Sequence, residues 1–213
     1  QQRAFVKHYG SRYGKLSGML YDISNEAPVP YRSVADLNRL FQTFLTDKYG
    51  SDEALRSAWD VSEVSLASAE WKAPPEQWLS RQARDTEVFR LQVADRWLAG
   101  NVTALRETGD THPVTDEYYL LPAGDAFKGR EHLTFANIHH YGTWELGLPR
   151  FYDRRMQGRS YAVGEFGRRH HPSMEGGGWG FAPEPEVAAF FRRIAFLNVA
   201  SGASTINNWD WKD

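Results

Sequence analysis

Hydrophobic positions along the chain follow two different periods. Apolar residues that recur every three or four positions predict amphipathic helices, over residues 3–14, 33–50, 52–59, 86–108, 144–156 and 186–199. Shorter runs rich in β-branched and aromatic residues predict strands, at residues 16–24, 112–115, 133–141, 160–167 and 203–211. Because the two kinds of segment alternate, we expect parallel strands joined by crossover helices, and therefore an α/β fold.

Two of these segments carry more detailed signals. Ser33 is a good N-cap for the second helix, with Asp36 at the capping-box spacing. The first strand, residues 16–24, is apolar at both odd and even positions, including Leu20 and Ile23. Such a run predicts burial on both faces, as in a parallel sheet covered by helices.

One stretch interrupts the alternation, at about residues 60–84. It places Trp71, Trp78 and the pair Pro74-Pro75 among polar residues. We interpret it as an insertion, which forms either a lid or cleft wall, or a surface loop with its aromatic side chains tucked beneath it. The chain has no internal repeat and no low-complexity linker, so we expect one domain over residues 1–213.

Composition narrows the classes of partner. The 213 residues are 41% hydrophobic and 24% charged, with a net charge of −2, which gives no reason to expect nucleic acid or an anionic membrane surface as a partner. No apolar run approaches the roughly 18 residues that a membrane span requires. Cysteine is absent, so disulfides and thiolate metal sites are excluded. This composition suits a cytoplasmic protein and a secreted bacterial enzyme equally, and localisation stays open.

Polar and acidic side chains follow the predicted strands at their C-terminal ends, which is where parallel α/β folds bind ligands. Glu26 follows the first strand and Glu165 lies near the end of the fourth. Two carboxylates placed in this way are what a retaining glycosidase requires. The other residues at strand ends are Asn25, Asp116, Glu117, His139, His140, Tyr141, Asn207, Asn208, Trp209 and Asp210.

Each of these residues has a structural alternative. A glutamate at a strand end can cap a helix or pair with arginine, and Trp209 can belong to the core. His139 and His140 can form a buried pair or half of a metal site, but the sequence offers no third ligand at a suitable spacing, so no metal is predicted. The 8 Trp, 10 Tyr and 12 Phe can fill a core or stack on sugar rings.

Four motifs at these positions resemble the clan A glycoside hydrolases, and most of all the family-five cellulase and mannanase type. They are Ser-Asn-Glu-Ala around Glu26, His-His-Tyr around Tyr141, Gly-Glu-Phe-Gly around Glu165 and Asn-Trp-Asp-Trp around Trp209. The resemblance implies a (β/α)8 TIM barrel of which this chain covers roughly strands 4 to 8. It also implies a retaining β-glycoside hydrolase for β-linked glucosides, mannosides or related saccharides, without a cofactor.

The resemblance also implies residue roles. Glu26 becomes the general acid/base and Glu165 the nucleophile. Asn25 would hydrogen-bond the sugar 2-OH, and Tyr141 would orient Glu165. The substrate-binding residues would further include His139, His140, Asn208 and Trp209, the last as the floor of the −1 subsite.

The chain departs from this family in what it lacks. Strands 1 to 3, the arginine of the second strand and a closing helix have no counterpart in the sequence. Because five parallel strands alone leave unpaired edges, we expect the missing strands on the rest of a larger polypeptide or on another chain. Two other functions stay open: a catalytically inactive carbohydrate-binding barrel, and a metal-dependent hydrolase that uses His139 and His140 with a nearby acid.

Overall fold

The computed structural model describes residues 1–25, 33–73, 79–116, 132–139, 160–167 and 183–208. These ranges contain the helices α1 (Gln2–Tyr13), α2 (Ala35–Tyr49), α3 (Asp52–Trp59), α4 (Arg81–Arg106) and α5 (Glu184–Ala200). They also contain the strands β1 (Tyr21–Asp22), β2 (Val114–Thr115), β3 (Ala136–His139), β4 (Tyr161–Phe166) and β5 (Ala203–Asn208). The chain divides into two compact units, one of residues 1–27 with 98–213 and the other of residues 28–97.

The strand pairs that the structure describes in the first unit are all parallel, which confirms the prediction of a parallel sheet. β1 pairs with β2, and β3, β4 and β5 pair in that order. The two groups are joined just before β3, where the Thr134 amide donates to the Val114 carbonyl at 2.8 Å. The Thr115 hydroxyl also donates to the Phe135 carbonyl at 3.0 Å. Neighbouring strands therefore follow one another in sequence order, as they do in a barrel and not in a doubly wound sheet.

One face of the three-stranded group packs on α5. The helix buries one side, with Phe190, Ile194 and Asn198 at intervals of four residues. Phe190 and Ile194 belong to the apolar stripe predicted from the sequence, whereas Asn198 is polar and Phe196 of that stripe is exposed. Full burial of a side chain such as Phe190 or Ile194 contributes roughly 1.5–3 kcal/mol. The strand residues in the same cluster are Ala136, Ile138, Tyr161, Val163 and Phe166.

The second unit is helical and has a separate aromatic core. Gly50 is the C-cap of α2, with a left-handed φ of 73° that glycine adopts most easily. The Ser51 hydroxyl then caps α3 by accepting from the Ala54 amide at 3.2 Å. Trp71 is fully buried in this core, so this aromatic residue of the predicted insertion is tucked inside, whereas Trp78 lies outside the described residues. The core residues are Phe41, Leu45, Leu55, Trp59, Ala69, Trp71 and Phe89.

The first strand is much shorter than predicted. Gly18 has a left-handed φ of 76°, so the chain turns within residues 16–24 and only Tyr21–Asp22 remain in the sheet. Burial on both faces is also wrong, because Leu20 is 54% exposed and Asp22 is exposed.

The start of α2 differs from the prediction as well. Val34, and not Ser33, is the N-cap, because the Ser33 hydroxyl accepts from the Asn38 side-chain amide at 3.0 Å and not from a backbone amide. The helix predicted over residues 144–156 lies outside the described residues. Within the described ranges, no helix combines the length and the apolar character needed to cross a membrane.

Candidate active site

The middle strand of the three-stranded group, β4, contains one extra residue near its C-terminal end. Ile138 of β3 pairs with Val163, but the next residue, His139, pairs with Glu165, so Gly164 has no counterpart in β3. The pairing of β4 with β5 shifts over the same stretch. An extra residue in one strand is a β-bulge, which bends the strand and redirects the side chains that follow it.

The bulge determines the face on which Glu165 lies. With strict alternation along β4, Glu165 would share the face of Val163, which packs in the cluster with α5. Instead Phe166 joins Val163 in that cluster, and Glu165 turns to the opposite face, where it meets His139. The carboxylate is thus moved from the apolar face to the polar face by the insertion of one residue.

Glu165 and His139 form the best-defined contact of the candidate site. His139 Nδ1 lies 3.3 Å from Glu165 Oε2, and each side chain is only 12% exposed. In the tautomer that carries its proton on Nδ1, His139 donates to the carboxylate. A shielded carboxylate with a donor beside it is held in one orientation, as a nucleophile requires.

Further polar residues extend this face toward β1 and β2. Asn137, two residues before His139, donates to Asp22 Oδ2 on β1 at 3.0 Å. Next to it, the Ser24 hydroxyl donates to Asp116 Oδ1, and Asp116 is only 3% exposed. The C-terminal edge of the sheet therefore carries carboxylates from β1, from the residue after β2 and from β4, linked to hydroxyl, amide and imidazole groups.

Only some of the predicted site residues lie within the described parts of the chain. Glu165 and His139 lie together, and the expected contact of His139 or His140 with substrate stays a prediction. Asn25 is exposed, three residues beyond the end of β1 and directly after Ser24. Asn208 is the last residue of β5 and pairs with Phe166 through the backbone. Glu26, His140, Tyr141 and Trp209 lie outside the described residues.

Asp22 and Asn137 were not predicted as site residues. Both lie two positions from a residue of the same polar set, Asp22 from Ser24 and Asn137 from His139. This spacing of two, which puts side chains on one face of a strand, is the signal that could have identified them. Among the residues that the structure describes, no group of three or more His, Asp or Glu side chains is arranged to hold a metal ion.

A second polar network lies at the opposite, N-terminal end of β1 and β2. The Tyr21 hydroxyl donates to Asp110 Oδ2 at 2.6 Å, and the amide and imidazole of His112 lie 2.8 Å from Oδ1. Burial and the bond to Asp110 raise the pKa of Tyr21 to about 12. Burial alone would raise the pKa of Asp110, but the bonds from Tyr21 and His112 hold it below its usual value. Residues at the N-terminal end of the strands in a barrel usually stabilise the fold and do not take part in catalysis.

The second unit has a buried carboxylate of its own. Asp85 is fully buried and accepts hydrogen bonds from the ammonium of Lys48, the hydroxyl of Tyr49 at 2.5 Å and the indole of Trp59 at 2.9 Å. Burial, followed by the bond to Asp85, raises the pKa of Tyr49. Because the Asp85 carboxylate accepts from three donors on α2 and α3, it links these helices to α4 and acts as a structural anchor.

Comparison with known proteins gives a likeness in structure alone. No family model matches the sequence, and no curated protein matches it. The chain is similar in structure to the agarase AgWH50C (TM-score 0.74, 15% identity), with 98% of this chain and 34% of that one covered. It is similar to β-galactosidases from the psychrophilic Marinomonas ef1 (TM-score 0.74, 18% identity, 98% and 36% covered) and from Bacillus circulans sp. alkalophilus (TM-score 0.73, 17% identity, 98% and 33% covered).

These neighbours are TIM-barrel glycoside hydrolases. A partial barrel agrees with the parallel strands and their sequential order. The chain therefore has the fold of one stretch of these enzymes and spans about a third of their length.

Proposed function

We propose that this chain is part of a retaining β-glycoside hydrolase, with Glu165 as the nucleophile and Glu26 as the general acid/base. The observation that carries the proposal is the bulge at Gly164, which turns Glu165 onto the polar face beside His139. A strand that only supports the core does not need a carboxylate on its polar face. Bulges next to active sites commonly redirect a side chain in this way.

The proposed first step uses Glu165 as an ionised carboxylate that attacks the anomeric carbon. The bond from that carbon to the glycosidic oxygen breaks while the bond to a Glu165 oxygen forms. His139 Nδ1 lies 3.3 Å from Glu165 Oε2 and helps to hold the carboxylate in a fixed position for this attack. A fixed nucleophile of this kind avoids part of the entropic cost of reaching the transition state.

Glu26 would give its proton to the departing oxygen and later take one from the attacking water. Its support is sequence position: it follows Asn25 directly and is four residues beyond Asp22, the last residue of β1. The C-terminal end of β1 lies at the same edge of the parallel sheet as that of β4. Retaining enzymes hold their two carboxyl groups about 5 Å apart. Asn25 would bind the sugar 2-OH, and Tyr141, His140, Asn208 and Trp209 would complete the substrate site.

The substrate class follows from the neighbours and the motifs together. The neighbours are described as agarases and β-galactosidases, whereas the sequence motifs resemble the family-five cellulase and mannanase type. We therefore propose a β-linked galactoside, glucoside or mannoside as substrate. We also propose that the remaining strands of the barrel, roughly strands 1 to 3, come from a longer polypeptide or a second chain.

The experiment uses the complete polypeptide and a panel of aryl β-glycosides of these three sugars. Glu165→Gln keeps the size of the side chain and removes its charge, and should lower kcat on the preferred glycoside by about 10³-fold, equivalent to about 4 kcal/mol of barrier. Glu165→Ala with added azide should regain activity, because azide occupies the space of the carboxylate and attacks the same carbon. The product should be a glycosyl azide with the opposite anomeric configuration from the substrate.

Glu107→Gln is the matched control. Glu107 is a half-exposed carboxylate of the same unit that pairs with Lys7 at 2.5 Å, and it does not belong to the polar residues at the C-terminal edge of the sheet. It should leave kcat unchanged. Wild-type turnover in the purified Glu165→Gln protein, or azide rescue without a glycosyl azide, would show that Glu165 is not the nucleophile.

A further inference from the structure

The end of β1 is held by more than its backbone pairing. The ladder with β2 contains Tyr21 opposite Val114 and Asp22 opposite Thr115, and the Ile23 amide adds a bond to the Thr115 carbonyl at 3.0 Å. Because this ladder is so short, backbone pairing alone does not fix the direction in which the following residues continue beyond the sheet. If a functional residue follows β1, other contacts have to fix the direction of the chain at this point.

Side chains from two neighbouring strands supply that restraint. The Ser24 hydroxyl donates to Asp116 Oδ1 just beyond β2, and Asp116 is almost completely buried. The Ser24 amide lies 3.3 Å from Asp22 Oδ1, and Asp22 in turn accepts from Asn137 of β3 at 3.0 Å. Hydrogen bonds to a carboxylate are stronger than those between neutral groups, so Ser24 is tied at both its hydroxyl and its amide.

We propose that Ser24 and Asp116 are positioning residues, which fix where the chain leaves β1 and so place Asn25 and the general acid that follows it. The inference rests on the proposed glycosidase function. Asn25 is bonded directly to Ser24, and Glu26 is the next residue. A small displacement of either would weaken proton donation to the leaving group, because catalytic groups act only within hydrogen-bonding reach.

A general acid matters only when the leaving group needs a proton, and this gives a specific readout. The test measures kcat/KM for two β-glycosides of the preferred sugar, a dinitrophenyl glycoside whose anion leaves unaided and a phenyl glycoside whose oxygen requires protonation. Ser24→Ala should lower kcat/KM for the phenyl glycoside by about tenfold or more and change the dinitrophenyl value by less than about twofold. Ser24→Thr, which keeps the hydroxyl, should restore the wild-type ratio.

Tyr21→Phe is the matched control. It removes the same kind of bond, hydroxyl to carboxylate, from the same strand but at its other end, so it should leave the ratio of the two glycosides at the wild-type value. If Ser24→Ala does not fold, Asp116→Asn, which keeps the shape of the side chain and removes its charge, should still favour the dinitrophenyl glycoside over the phenyl glycoside.

The outcomes separate this inference from the proposed function. Equal losses on both glycosides, or no loss on either, would overturn the positioning role while the enzyme assignment stands. A wild-type protein without activity on any glycoside of the panel would overturn the proposed function, and the positioning role with it.

Discussion

The substitution Tyr21→Phe tests whether the N-terminal end of the sheet stabilises the fold. It removes one hydroxyl and leaves the ring, so packing is preserved. The lost bond joins the Tyr21 hydroxyl to Asp110 Oδ2 at 2.6 Å. Asp110 is 3% exposed, so water cannot easily replace the missing donor.

The magnitude follows from what remains around Asp110. A hydrogen bond to a charged group contributes about 1.5–3 kcal/mol. Because the amide and imidazole of His112 still contact Oδ1 at 2.8 Å, the carboxylate keeps part of its stabilisation. We therefore expect the free energy of unfolding to fall by about 2 kcal/mol at neutral pH, near the lower end of that range.

The contribution depends on pH in two directions. The pKa of Asp110 is lowered in the folded protein, so its stabilisation is present above the unfolded pKa of about 4 and is lost as the pH falls through the folded value. The pKa of Tyr21 is raised from 10.0 to about 12, so its stabilisation is present below pH 10 and is lost as the pH rises toward 12. The effect of Tyr21→Phe should therefore be largest between about pH 4 and pH 10.

Urea unfolding of both proteins at pH 7 and at pH 3 measures this difference. With a slope of about 2 kcal/mol per molar urea, the midpoint of Tyr21→Phe should lie about 1 M lower at pH 7. At pH 3 the two midpoints should approach each other. A gap of equal size at both pH values would refute the charge-assisted bond, and a gap near zero at pH 7 would refute its contribution to stability.

Two further outcomes follow from other parts of the chain. Asp85→Ala should destabilise the helical unit by about 3 kcal/mol, because it leaves Lys48 and the buried indole of Trp59 without their shared acceptor. A thermal melt followed by tryptophan fluorescence measures this loss. An unchanged melting temperature would contradict the role of Asp85 as a structural anchor. EDTA should leave glycosidase activity unchanged, and loss of activity that zinc restores would instead favour the metal-dependent hydrolase based on His139 and His140.

Helices were predictable because their signals are local. The bounds of α3 agree with the prediction to the residue, since its cap, Ser51, lies next to an amphipathic run. α5 was predicted within two residues at each end, because Phe190 and Ile194 repeat at helical spacing. The N-cap of α2 was not predicted correctly, because the Ser33 hydroxyl bonds to a side chain, Asn38, that a capping rule does not consider. The start of α4 was predicted five residues too late, at 86 and not at Arg81.

The site was predictable in its main carboxylate and not in its geometry. Glu165 stood out as an acid at the end of an apolar run. The face on which it lies depends on Gly164 being an extra residue, and this depends on pairing with two other strands. The contacts of Asp22 with Asn137 and of Ser24 with Asp116 join residues far apart in sequence, and no local pattern indicates them.

The pairing of β1 with β2 also has a consequence for how the chain folds. Tyr21 pairs with Val114, so residues 23–113, which include the whole helical unit, form the loop that this pairing closes. The entropic cost of closing a flexible loop rises with its length, and contacts between distant residues slow folding. Because the helical unit has its own aromatic core, it can condense first and shorten the flexible part of that loop, so the first two strands should join late in folding.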